Sequence, residues 1–105
     1  IWWWWTWKNA FREEWVLKEK EIYRHALDKW GAKAQICMLF EEMAELQKEL
    51  CKNFRGKENR AEIAEEIADV EIMLNQMKIL FDIEEDAERY KQFKLKRLEE
   101  RLRSW

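Results

Sequence analysis

A chain of 105 residues, with 20 basic and 22 acidic side chains and no proline, amounts to a single small domain. Bases and acids are mixed along it for a net charge of −2, which excludes the basic stripe of a dedicated nucleic-acid surface. No apolar run approaches the ~20 residues of a membrane-spanning helix. The abundance of Glu, Lys, Leu, Ala, Met and Arg beside only two glycines predicts an all-α fold.

Ile1 to Trp7 hold five tryptophans. That run is too short to span a membrane and lacks the cleavage site of a signal peptide. Its functional reading would be an anchor at headgroup depth. Residues 1–8 are set apart, as a non-native or poorly defined segment, from a single all-α domain over 9–105. From Asn9 to Lys29 the pattern is mostly helical, with Phe11, Trp15, Ile22 and Leu27 as an imperfect apolar stripe, and Trp30-Gly31 ends it.

A second helix is predicted from about Ala32 to Cys51, with Ile36, Leu39, Phe40, Met43, Leu46 and Leu50 at steps of three and four. Cys37 and Cys51 would sit on it roughly 20 Å apart, too far for a mutual disulfide. Free thiols suit a reducing compartment and favour the cytoplasm. Asn53 to Asn59 reads as a loop, with Asn59 as N-cap of the next helix and Glu62 closing a capping box.

The third helix, about Arg60 to Leu80, carries Ile63, Ile67, Val70, Leu74, Met77 and Phe81 on one side. Ala64, Ala68, Ile72 and Ile79 lie on the other. Apolar residues on two sides predict a buried, central helix. Asp82 stops it or caps the next. The last helix, about Glu84 to Arg103, sets Tyr90, Phe93, Leu95, Leu98 and Leu102 among many charges, the pattern of a surface or partner-facing helix.

Acids border the packed face of the two central helices. With Ile63 at zero and about 100° per residue, Asp69 falls at about 240° and Glu66 at about 300°, flanked by Met73, Leu80 and Ile72. With Ile36 at zero, Glu42 falls at about 240° and Glu45 at about 180°, beside Leu39, Leu46 and Met38. Each pair is spaced i, i+3 and shares a face. A short loop makes the helices antiparallel neighbours, so the pairs could face one another. Four converging carboxylates repel when partly desolvated; a hard divalent cation relieves this, and Mg²⁺ suits an all-oxygen site. A di-iron bundle would want Glu-x-x-His on two helices, and the single histidine, His25, has no such partner. Zinc would want clustered Cys or His.

Glu41-Glu42-Met43-Ala44-Glu45, followed after twenty residues by Glu66-Ile67-Ala68-Asp69, resembles the Glu-x-x-Glu, Glu-x-x-Asp pattern of the MazG-like nucleotide pyrophosphohydrolases. Ala26-Leu27-Asp28-Lys29-Trp30-Gly31 and Ala64-Glu65-Glu66-Ile67-Ala68-Asp69-Val70-Glu71-Ile72 look like the short phage and bacterial members. The resemblance covers roughly Tyr23 to Phe81 and extends loosely over the last helix. It implies an antiparallel helix bundle whose core is completed by dimerisation, as a homodimer or homotetramer. It also implies hydrolysis of (deoxy)nucleoside triphosphates to monophosphate and pyrophosphate. Glu42, Glu45, Glu66 and Asp69 become the Mg²⁺ ligands, with Mn²⁺ as a substitute, and Glu42 or Glu45 the acceptor of the attacking water's proton. Glu41 points away at about 140°. Lys48, Lys52, Arg55 and Lys57 are near enough in sequence to grip phosphates. The rival expectation is a non-catalytic helical interaction or scaffold module, whose acids only solubilise it. Neither nucleic acid nor membrane is an expected partner.

Overall fold

The computed structural model describes residues 2–104, leaving aside the side chains of Trp2, Trp4, Trp5 and Trp7. The status of the tryptophan run therefore lies largely outside the described residues. Four helices follow in order: α1 (Trp2–Trp30), α2 (Ala32–Phe54), α3 (Arg60–Leu80) and α4 (Glu84–Arg103). No strand occurs among the described residues, as an all-α fold requires. None of these helices is long and apolar enough to cross a membrane.

The connections are short and chemically specified. Gly31, at φ 86°, separates α1 from α2, a conformation that costs glycine little. At the end of α2, Gly56 takes φ 96°, and the Lys57 amide bonds back to the Lys52 carbonyl at 3.1 Å. Asp82 plays the same part after α3, at φ 54°, with the Ile83 amide on the Lys78 carbonyl at 2.9 Å. Both ends have the left-handed residue and the long-range carbonyl capture of a Schellman motif. Asp82 thus stops α3, and Ile83 precedes α4.

Two boundaries differ from expectation. α1 begins at Trp2 rather than Asn9. α2 continues through Asn53 and Phe54, because the Schellman turn forms at Gly56 and keeps the preceding residues helical.

The hairpin of α2 and α3 is the centre of the molecule. α3 touches every other helix, while α4 packs only on α3 and is tied to α1 by Lys20–Glu84 at 3.0 Å. Along α2 the shielded residues include Gln35, Leu39, Glu42, Leu46 and Glu49, spaced four, three, four, three. The other arm of the hairpin repeats that spacing from Asn59, just before α3, through Ile63, Glu66, Val70 and Met73 of α3. That is the seven-residue repeat of a coiled-coil seam, with an unusual content. Apolar residues hold one seam position of α2, and Gln35, Glu42 and Glu49 hold the other.

Among the described residues, Tyr23 and Met73 are the only apolar side chains that are buried. Of the predicted stripe of α1, Leu27 is shielded while Phe11, Trp15 and Ile22 are exposed. Tyr23, Ala26 and Leu27 do the packing. α3 is central, yet Ile67 and Leu74 on one side and Ile72 on the other are exposed.

Candidate metal centre

The Glu49 and Glu42 layers of the seam differ in what satisfies them. At the loop end, Asn59 is 1% exposed. Its side-chain amide donates to the Glu49 carbonyl at 2.8 Å and to Glu49 Oε2 at 2.7 Å. The amide of Asn53 donates to Asn59 Oδ1 at 3.3 Å, and Lys52 Nζ meets Glu49 Oε1 at 3.1 Å. Asn59 does precede α3, but it makes no side-chain capping bond, because its side chain is spent across the hairpin. Asn59 and Lys52 together hold the Glu49 carboxyl below its usual range, since donors to a carboxylate favour its charged form.

The middle layer has no such donors. Glu42 from α2 and Glu66 and Asp69 from α3 each bring a carboxylate oxygen to within 4.8 Å of the others. All three are half-buried. Desolvation raises the Glu42 carboxyl first, and the charges of Asp69 and Glu66 raise it further. Desolvation also leads for Glu66, followed by the charges of Asp69, Glu45 and Glu65. Glu66 Oε2 is buried with no hydrogen-bond partner among the described residues. A lone pair removed from water and left unmet is costly, and a hard cation at the meeting point would satisfy it.

Of the four acids expected to converge, three form this tight group. Glu45 stands beside it: exposed, outside the closest set, yet near enough to act electrostatically on Glu66. Glu41 is exposed. Lys52 is committed to Glu49, and Lys57 also acts on Glu49. Lys48 on α2 and Arg55 just past its end are exposed.

The buried pair Glu49–Asn59 and the buried Gln35 and Gln76 were not singled out by apolar periodicity. The available signal is the seven-residue spacing of Gln35, Glu42 and Glu49, interleaved with Leu39 and Leu46. A second cleft of about 260 Å³ lies between α1, α3 and α4, lined by Tyr23, Asn75, Lys78 and Ile79 among others. Its polar groups are largely paired, with Tyr23 Oη donating to Glu19 Oε1 at 2.5 Å.

No protein-family model matches the chain, and neither a curated protein nor a solved structure matches it.

Proposed function

We propose that this chain is a MazG-like nucleotide pyrophosphohydrolase, which cleaves (deoxy)nucleoside triphosphates to monophosphate and pyrophosphate with Mg²⁺. The observation that carries this reading is the meeting of Glu42, Glu66 and Asp69 from two helices, with one Glu66 oxygen buried and unmet. Oxygen donors alone, on two packed helices, fit Mg²⁺ and, as a substitute, Mn²⁺. Glu42, Glu66 and Asp69 would hold the ion, with Glu45 completing the set. When bound, Mg²⁺ supplies charge neutralisation of the triphosphate and orients it for in-line attack by water at the α-phosphorus.

The chain's own residues do the rest. Glu45 is exposed beside the group and is the carboxylate best placed to accept the proton of the attacking water. Glu42, whose carboxyl is raised by burial and by its acidic neighbours, is the alternative acceptor. Lys48, Arg55 and Lys57 are exposed and available to the phosphates; Lys52 would have to release Glu49 first. A cytoplasmic setting and pairing as a homodimer or homotetramer belong to the same reading.

A second reading, the non-catalytic helical interaction module, is favoured by the exposed Tyr90, Phe93, Leu98 and Leu102 of α4. It expects no metal-dependent behaviour. The two separate when the protein is incubated with a panel of dNTPs and NTPs, with Mg²⁺ or EDTA, and the products are resolved. Monophosphate and pyrophosphate that vanish with EDTA are expected. Absence of turnover together with absence of a Mg²⁺-dependent melting shift would overturn the hydrolase.

A further inference from the structure

We infer that the free part of α4 docks on a bilayer surface that bears anionic lipid. α4 meets the rest of the chain at its start, where Glu84 and Ala87 are partly shielded; every residue from Glu88 to Ser104 is exposed. That stretch draws nothing from packing, the main source of helical stability in proteins. Its charge is divided along its length. The first turn holds Glu84, Glu85 and Asp86. Arg89 to Arg103 holds seven basic residues against two acids, a net charge of +5. The −2 of the whole chain conceals this, because acids elsewhere outweigh it.

The charge is also divided around the helix. At about 100° per residue, Tyr90, Phe93, Leu95, Leu98 and Leu102 fall within one arc of about 200°, and Lys91, Lys94, Arg97 and Arg101 fall between them. From residue 90 to 102 no acid lies on that arc; Glu99 and Glu100 are behind it. Arg89 and Arg103 are behind it too, paired with Asp86 and Glu99. The four cations on the arc make no ion pair among the described residues. The apolar side chains beside them are open, Tyr90 and Phe93 at 65% and Leu102 at 68%. One face thus combines uncovered apolar groups with unneutralised positive charge. A helix lying in the interface plane uses both: rings and aliphatic chains enter the acyl boundary, while Lys and Arg stems reach up to the phosphates. Charge complementarity selects an anionic leaflet. A nucleic acid would meet the cations and stack on Tyr90 and Phe93, but would leave Leu95, Leu98 and Leu102 in water. The contact needs no membrane-crossing helix, and it stands whatever the acids of the hairpin bind.

The test is co-sedimentation of the full chain with vesicles of phosphatidylcholine alone or with phosphatidylserine added. The chain should pellet with the anionic vesicles, stay in solution with the neutral ones, and be released by high salt. Each basic side chain near an anionic leaflet adds about fivefold to partitioning. Lys94→Gln combined with Arg97→Gln should therefore weaken binding about twentyfold. Both side chains are exposed and make no ion pair among the described residues, so helical content should match wild type. Failure to pellet with anionic vesicles would overturn the inference. So would equal binding to neutral vesicles, or binding unchanged in the double variant, because the contact would then lie elsewhere, as at the tryptophan run. A chain that ignores vesicles but binds a single-stranded oligonucleotide, with the double variant losing that binding, would overturn it as well and assign the cations of α4 to nucleic acid.

Discussion

Two sides of one hairpin can be compared residue by residue. On one, Glu45 and Asp69 flank the half-buried Glu42 and Glu66; on the other, Met43 follows Glu42 and Ile67 follows Glu66. A step of one residue turns a carboxylate cluster into an apolar face, because neighbouring helix positions differ by about 100°. The acid side carries repulsion and an oxygen left unmet among the described residues. The apolar side carries exposed Met43, Ile67 and Leu74. The seam between them is closed at its loop end by the buried Glu49–Asn59 pair.

Perturbing each part in turn sharpens the contrast. Asp69→Asn removes one member of the metal group without touching the apolar side. Nucleotide turnover should fall about a thousandfold, the several kcal/mol expected of a metal's charge stabilisation, while helical content stays as in wild type. Retained activity would break the link between the acids and catalysis.

Glu45→Gln should separate chemistry from metal binding. Glu45 is exposed and outside the tight group, so with Glu42, Glu66 and Asp69 still in place the Mg²⁺-induced melting shift should shrink but survive. Turnover should drop about a hundredfold, the lower range for losing a general base. Measuring both on the same preparation decides the matter; loss of the melting shift would make Glu45 a ligand foremost.

Asn59→Ala tests the closing pair. The change leaves the Glu49 carbonyl and Oε2 without their donor, at a cost of about 2 kcal/mol, read by chemical denaturation. Stability equal to wild type would mean that water replaces the amide at no cost.

The chain order of helices and the span of α3 and α4 were legible in the sequence, because Gly31, Gly56 and Asp82 mark the breaks and long amphipathic runs lie between them. The acid pairs were legible too, since an i, i+3 spacing on two neighbouring helices is a local property. What periodicity hid was the seam itself. A reading that seeks apolar stripes assigns Gln35 and Glu49 to solvent, yet both are buried. It also assigns Ile67 and Leu74 to the core, yet both are exposed. The predicted capping box failed for a related reason: Asn59 finds a stronger partner in Glu49, ten residues back on the opposite helix, than in its own backbone. Partners that decide burial lie across the hairpin, and spacing within one helix carries no record of them.

The smallest expected effect contrasts the two carboxylate layers through pH. Glu49 has its folded pKa depressed, chiefly by the Asn59 amide and then by Lys52. Its stabilising contribution is therefore complete above the ordinary carboxylate range and disappears as pH falls through that range to the depressed value. Glu42 and Glu66 have raised folded values, so the metal-free protein gains stability from them as pH falls from neutrality toward the ordinary range. Without metal, the melting temperature should first rise on acidification and then fall. Glu49→Gln keeps an acceptor for Asn59 but removes the charge, so it should flatten the falling limb and leave the rise. Glu42→Gln should do the reverse, and should slightly raise stability at neutral pH by relieving repulsion. Melting curves at a series of pH values in EDTA read both limbs. If Glu49→Gln altered the rise instead, the charge on Glu49 would be coupled to the acid group about two turns away, and the loop-end layer and the layer of Glu42, Glu66 and Asp69 would have to be treated as one electrostatic unit.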